Sequence, residues 1–389
     1  MNDSPTEPAT ESSGESAPAV EARVARWIRP AIRSLSAYSI PECGARIKLD
    51  AMENPYPWPG ELVDGWLEAL RRVSLNRYPD PDARTLKGRL RAAMGFPPGA
   101  AVLLGNGSDE LIQMIVMAVA EPGRVVLAPE PTFAMYRLIT RVAGLEYVGV
   151  PLGEGFSLDR AAMERAIDRH RPAVVFLAYP NNPTGNLFAP ADLEAVIRRA
   201  PGLVVIDEAY AAFTAPEGGE AEATCLDRIE RFENLVVLRT VSKMGLAGLR
   251  LGVLAGPQAW LAQIDKTRLP YNVNVLTQAS AVFALEHWGV LRAQTARIRA
   301  DRAVLYARLR AFPGIEVFPS RANFLLFRVP SGRADRIHGS LARSGVLIRN
   351  LSGAGGALAD CLRVTVGTRE ENEAFLRALG EALGALDET

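Results

Sequence analysis

The chain has 389 residues, with 44 Lys+Arg against 44 Asp+Glu and so no formal net charge. That balance argues against a coat for nucleic acid or for an anionic membrane, both of which recruit an excess of Lys and Arg. The length suits two domains or one large α/β unit. The three scattered cysteines, Cys43, Cys225 and Cys361, give neither a disulfide framework nor a metal-ligand spacing, which suits a reducing cytoplasm.

Residues 1–20 are rich in Ser, Thr, Pro, Glu and Ala and hold no aromatic. They read as a disordered tail, unlike a secretory signal or a transit peptide. A helical pattern runs from Glu21 to Ser36, with Val24, Trp27 and Ile28 on one side. Lys48–Pro59 alternates prolines with aromatics and reads as extended. It is either a linker with packed aromatics or a lid that lays Tyr56 over a pocket. Helices follow at Glu61–Arg72 and Ala83–Met94, with the loop Asn76–Pro81 between them.

From Val102 to Val241 short apolar strands alternate with helices. The strands are Val102–Leu104, Val125–Ala128, Tyr147–Val150, Ala173–Ala178, Leu203–Ile206 and Leu235–Leu238. The helices are Leu111–Ala120, Thr132–Val142, Leu158–His170 (capped by Ser157 or Asp159) and Pro190–Ala200. The alternation predicts a mostly parallel sheet covered on both faces. The longest apolar run, Leu111–Ala120, contains Gln113 and is too short to span a bilayer. Beyond the polar turn Pro270–Asn274, helices Val275–His287 and Val290–Phe312 lead to strands Asn323–Val329, Val346–Arg349 and Leu362–Val366. His170, His287 and His338 lie in helical contexts with charged neighbours and read as surface residues.

In open α/β sheets, ligands bind beyond the carboxyl ends of the strands. Four polar clusters fall at such ends: Gly105–Asp109, Asn181–Gly185, Asp207–Tyr210 and Thr240–Lys243. Each alone is ordinary turn chemistry; four in this order are much harder to ascribe to chance. Lys243, among small residues after a buried strand, suits a desolvated amine that attacks an aldehyde. Thr240, Ser242 and Arg250 around it suit a phosphate. An aldehyde that also carries a phosphate is pyridoxal phosphate, whereas the plain alternative is a surface loop bearing one Lys and one Arg.

From Leu49 to Leu376 the chain resembles the fold-type I pyridoxal-phosphate aminotransferases, and within them the histidinol-phosphate aminotransferases. The motifs that carry the resemblance are Glu53-Asn54-Pro55-Tyr56-Pro57, Arg77-Tyr78-Pro79-Asp80, Asn181-Asn182-Pro183-Thr184-Gly185, Asp207-Glu208-Ala209-Tyr210, Ser242-Lys243 through Gly248-Leu249-Arg250, and Leu362 through Thr368. The resemblance implies a large domain whose mostly parallel sheet lies between helices, plus a smaller α+β domain made from both chain ends. The expected boundaries are 21–75 for the N-terminal arm and part of the small domain, 76–285 for the large cofactor domain and 286–389 for the rest of the small domain.

It also implies roles. Lys243 is the expected Schiff-base lysine and proton carrier, Asp207 the partner of the pyridine nitrogen, and Tyr210 and Asn182 the partners of the ring hydroxyl. Ser108, Asp109, Thr240, Ser242 and Arg250 are the expected phosphate site, with Asp109 contributing its main chain. Phe133 stands where the family usually has a ring-stacking tyrosine, so only the face contact carries over. Tyr78 is expected to reach the cofactor phosphate of a neighbouring subunit, so that a homodimer completes the site. Tyr56, Asn182, Arg349 and Arg363 are the expected substrate residues, with Arg363 ahead of Arg349, whose plain reading is a solvated strand-end charge. One departure is visible: the stretch from Lys243 to Gly248 is one position shorter than in many relatives and lacks their aromatic. The activity implied is cytoplasmic, pyridoxal-phosphate-dependent transamination between L-histidinol phosphate and 2-oxoglutarate, in histidine biosynthesis, with no metal, nucleic acid or membrane partner. An aromatic amino-acid aminotransferase, a decarboxylase of threonine phosphate and a binding domain without turnover remain the alternatives.

Overall fold

The computed structural model describes residues 17–37, 47–216, 219 and 221–387. The chain divides into two compact units, residues 1–41 and 42–389. In the first, helices span Ala17–Trp27 and Pro30–Arg33. The helix thus begins before Glu21 and takes in the last four residues of the expected tail. Pro18 is compatible with this because a first-turn residue needs no intrahelical N–H bond, and Pro30 opens the second helix for the same reason. The rest of the expected tail, residues 1–16, lies outside the described residues.

The second unit carries the strands β1 (Ile47–Lys48), β2 (Ala101–Asn106), β3 (Val125–Glu130), β4 (Glu146–Pro151), β5 (Val174–Ala178), β6 (Leu203–Asp207), β7 (Leu235–Thr240), β8 (Leu251–Gly256), β9 (Glu316–Val317), β10 (Phe324–Arg328), β11 (Val346–Leu347), β12 (Arg349–Asn350) and β13 (Cys361–Thr365). Seven form one sheet in the order β2-β8-β7-β6-β5-β3-β4. All run the same way except β8, which is antiparallel to both β2 and β7. Along β5 every residue is buried, and successive side chains enter different apolar clusters: Val175 and Leu177 one, Val174 and Phe176 the other. A strand covered on both faces needs such an unbroken apolar run.

The sequence reading did not anticipate β8. Its segment Leu-Gly-Val-Leu-Ala-Gly holds two glycines, which weaken a strand signal. Packing explains one of them. A Cβ on Gly252 would lie 2.6 Å from the carbonyl of Gly107 and from the amide nitrogen of Ser108. The bare backbone there lets the glycine turn after β2 sit directly on the sheet.

The remaining strands build a second layer. β9, β10, β12 and β13 form an antiparallel sheet in the order β12-β13-β10-β9, and β1 pairs in parallel with β11. Their apolar cluster joins Leu49 to Phe324, Phe327, Ile337 and Phe375. The smaller α+β domain is therefore assembled from both ends of the chain. Between β1 and the helix Gly60–Leu70 no regular element forms, as Pro55, Pro57 and Pro59 require. The cap of the helix Arg160–His170 is Asp159, whose side chain accepts from the Ala162 amide at 2.9 Å. No helix among the described residues is long and apolar enough to cross a membrane.

Candidate active site

The carboxyl ends of β2, β5, β6 and β7 face one edge of the large sheet and there enclose a cleft of about 560 Å³. Every expected cofactor residue except Tyr78 lines it: Ser108 and Asp109 after β2, Asn182 after β5, Asp207 and Tyr210 at β6, and Thr240, Ser242, Lys243 and Arg250 after β7, with Phe133 from the turn after β3. Ser108 opens the helix Ser108–Ala118, whose first N–H groups have no intrahelical acceptor and attract anions. Gly107 before it has φ 89°, and a Cβ there would lie 2.6 Å from the Arg250 guanidinium. Arg250 is thus laid across the start of that helix, its Nη2 3.6 Å from Asp109. On the other side Thr240 Oγ1 donates to Ser242 Oγ at 2.9 Å and accepts from the Ser242 amide at 3.1 Å.

The loop after β7 is two short turns, Ser242–Met244 and Ala247–Leu249, reversed at Gly245 (φ 112°). Asn54 from the proline-rich segment locks it, donating to the Met244 carbonyl at 3.1 Å and to Gln294 at 2.9 Å. The shortened loop therefore still presents Lys243 to the cleft. The amine donates to the Ala51 carbonyl at 3.2 Å and stands 5.8 Å from the centre of the Tyr210 ring. Burial, and then the positive charge of Arg363, pushes its pKa down to about 8. The nucleophilic free amine therefore becomes the major form as pH rises through about 8. Cofactor-free protein should accordingly take up pyridoxal phosphate faster with rising pH, half-maximally near pH 8. A midpoint near the ordinary lysine value of 10.5 would contradict this.

Asp207 is pushed up to about 6 by burial, against the hydrogen bonds it accepts from the Tyr136 hydroxyl (2.6 Å) and the Ala209 amide (3.1 Å). It is ionised at neutral pH, and a buried anion invites a cation. Behind it the buried Glu208 accepts from Arg239, Thr224 and the Cys225 amide. Asn182 Nδ2 donates to the Tyr210 hydroxyl at 3.4 Å, and Asn182 Oδ1 accepts from Arg363 at 2.6 Å. Arg363 also donates to the Asp50 carbonyl and is buried. Arg349 is exposed and pairs in register with Arg363 across the antiparallel strands β12 and β13. Residues directly opposite in such a pair share one face of the sheet.

Four expected residues stand outside the cleft lining: Tyr56, Tyr78, Arg349 and Arg363, the last of which is tied to the cleft by its bond to Asn182. Tyr56 donates to Asp301 at 2.6 Å with Arg297 over its ring, while Arg349 is at the strand end. Tyr78 is 78% exposed and stacks on Tyr271 with ring centres 4.3 Å apart. The histidines also stay away from the cleft; His338 contacts the Ile348 carbonyl. Two residues that hold the site were given no role of their own by the sequence. Tyr136 is fully buried, stacks on Phe176 and donates to Asp207. Asn181 is fully buried, accepts from Thr132 and donates to the Pro131 carbonyl and Thr184. Asn181 could have been found from the Asn-Asn-Pro motif, where one asparagine faces the cleft and the other must hold the turn.

The donor set fits one group. Helix-start amides, two hydroxyls and a guanidinium could hold a phosphate; a buried carboxylate could hold a protonated ring nitrogen; Phe133 offers an aromatic face and Lys243 a free amine. These features define a pyridoxal-phosphate enzyme. The chain belongs to the class I and II aminotransferases, whose family model matches residues 46–379. It is 57% identical to histidinol-phosphate aminotransferase 2 of Nitrosococcus oceani, over 92% of this chain and 97% of that protein. It is 51% identical to histidinol-phosphate aminotransferase 2 of Cupriavidus pinatubonensis, again over 92% and 97%. The crystal structure of histidinol-phosphate aminotransferase from Sinorhizobium meliloti in complex with pyridoxal-5'-phosphate superposes with a TM-score of 0.81 at 26% identity, covering 92% of this chain and 98% of that one. The fold is that of the fold-type I aminotransferases, and the cofactor is pyridoxal phosphate.

Proposed function

We propose that the chain is a histidinol-phosphate aminotransferase, a homodimeric cytoplasmic enzyme of histidine biosynthesis that converts L-histidinol phosphate and 2-oxoglutarate into imidazole-acetol phosphate and L-glutamate, and the reverse. The observation that carries this reading is the nearly end-to-end likeness to relatives that bear that name. Pyridoxal phosphate, when bound, supplies an aldehyde for amines to condense with and a ring that withdraws electrons from the substrate α-carbon. In this reading the Lys243 amine would move the proton at that α-carbon. Asp207 keeps a proton on the ring nitrogen, and Tyr136 holds the carboxylate in place. Asn182 and Tyr210 orient the ring hydroxyl, and Phe133 covers one face. Ser108, Asp109 through its main chain, Thr240, Ser242 and Arg250 hold the cofactor phosphate. The two half-reactions share one site and alternate.

Arg363 and Arg349 on one sheet face suit a phosphate dianion better than a single carboxylate would require. Tyr56 and Asn182 complete the donor's site, with Tyr56 free to reach it once its segment leaves Asp301. Residues 76–285 act as the cofactor domain, and residues 47–75 and 286–389 close over it.

The dimer reading rests on surface chemistry. Leu75, Tyr78, Leu269 and Tyr271 are exposed, and an apolar surface of this kind marks an interaction site. A second copy seated there would take the Tyr78 hydroxyl to its own phosphate site. Tyr78→Phe should then raise the dissociation constant of the cofactor several-fold and leave the ranking of amino donors unchanged, as measured by cofactor titration and donor kinetics. A change in ranking with unaltered cofactor retention would contradict the contact.

The function itself is tested by following glutamate formation from 2-oxoglutarate with L-histidinol phosphate, phenylalanine or threonine phosphate as partner. Turnover best sustained by histidinol phosphate supports the reading. Preference for phenylalanine would make the chain an aromatic aminotransferase and give Arg363 a carboxylate; release of carbon dioxide from threonine phosphate would make it the decarboxylase.

A further inference from the structure

A second cleft, of about 1560 Å³, opens beside the long helix Trp288–Arg310. Ala296, Ala300 and Ala303 line it from one face of that helix, and such small side chains leave room. Arg299, Arg302 and Arg321 all line it as well. Arg302 is only 9% exposed, and its guanidinium donates to the carbonyls of Phe213 (3.1 Å) and Ala322 (2.7 Å). Arg299 donates to the carbonyls of Ala212 (3.5 Å) and Gly219 (3.3 Å). Carbonyls satisfy N–H groups without neutralising a charge, and burying an uncompensated charge is costly. Among the described residues none of the three arginines forms an ion pair. The contrast is Arg239, equally buried, which meets Glu208 and Glu222. Burial, and then the charges of Arg321 and Arg299, lower the Arg302 pKa to about 10, so the three cations act on one another.

We propose that this cleft is a second anion site, separate from the cofactor cleft, in which Arg299, Arg302 and Arg321 bind a small phosphate-bearing molecule. Guanidinium forks match phosphate oxygens in pairs, and three of them suit a di- or polyanion better than a lone carboxylate. The site also touches the machinery. The Arg321 amide donates to the Gly185 carbonyl at 2.6 Å, and Gly185 lies so close to Ser320 that it has no room for a side chain. The turn from Asn181 to Gly185 carries Asn182 into the cofactor cleft. An anion drawn onto Arg321 therefore bears on a strand end that shapes the active site.

The test uses the cofactor-loaded enzyme and pyrophosphate as the probe, titrated by calorimetry at constant ionic strength. The comparison is the double variant Arg299→Ala/Arg321→Ala; Arg302 is left in place because it ties together two backbone segments. The wild type should bind one more equivalent of pyrophosphate per chain than the variant, while the cofactor absorbance stays the same in both. Equal stoichiometry and affinity would overturn the proposal, and would mean that pyrophosphate enters only the donor site. The variant Arg299→Lys/Arg321→Lys gives a second reading if the alanine variant fails to fold. It keeps both charges but loses the forks, and should bind pyrophosphate at least several-fold more weakly; unchanged affinity would again count against the site.

Discussion

Replacing Lys243 by alanine should abolish transamination while leaving the fold intact. The side chain is half-buried and, among the described residues, holds one hydrogen bond, to the Ala51 carbonyl, so its removal leaves no orphaned charge. Loss of positioned proton transfer alone is worth on the order of 10²–10⁴ in rate, and loss of the amine that attacks the cofactor adds to it. Lys243→Arg separates charge from nucleophile. Arginine stays protonated at any working pH, so this variant should be as inactive as the alanine variant even though the positive charge is kept. Steady-state rates for both, with melting curves as the control for folding, check the claim. Appreciable turnover in either would remove Lys243 from its role.

The second large effect concerns stability. Glu208 and Arg239 form a nearly water-free ion pair, N to O 2.8 Å, with Thr224, Glu222 and the Cys225 amide completing their hydrogen bonds. Among the described residues, Glu208→Ala leaves the buried Arg239 charge with Glu222 alone to meet it. Breaking a buried pair in this way costs about 3–5 kcal/mol. The melting temperature of the Glu208→Ala enzyme should therefore fall by clearly more than that of Glu68→Ala, which removes a surface partner of Arg71 and is worth about 0–1 kcal/mol. Equal melting temperatures for the two variants would show that the buried pair contributes no more than a surface one. Because Asp207 precedes Glu208 in the chain, the same substitution should also loosen the carboxylate that faces the cofactor.

Much of this site could be read from the sequence because sheet geometry turns order into place. Polar residues that interrupt apolar strands must sit at strand ends, and parallel strands put those ends on one edge. Gly105–Asp109, Asn181–Gly185, Asp207–Tyr210 and Thr240–Lys243 were legible for that reason. Tyr136 was not. It lies in the helix Ala134–Ala143 beside Met135, Leu138 and Ile139, where an aromatic reads as packing, and only the tertiary fold brings its hydroxyl to Asp207. Arg239 carries a sequence signal of its own: an arginine inside an otherwise apolar strand needs a buried partner. Glu208 meets that need because β6 and β7 pair side by side, with the Glu208 amide on the Leu238 carbonyl. The strand β8 stayed hidden because Gly252 serves the close approach of the glycine turn, not strand propensity. The long lever of Tyr56 was legible as a substrate candidate, but its bond to Asp301 depends on a helix 245 positions later in the chain.

The most direct test of the account is a single-turnover experiment without any keto acid. Purified yellow enzyme is mixed with excess L-histidinol phosphate, and in parallel with phenylalanine and with threonine phosphate, while the visible cofactor band is followed. The account predicts rapid bleaching by histidinol phosphate and slow or no bleaching by the other two. Faster bleaching by phenylalanine or threonine phosphate would contradict the assigned substrate, and a protein that shows no visible band even after addition of pyridoxal phosphate would contradict the enzyme itself.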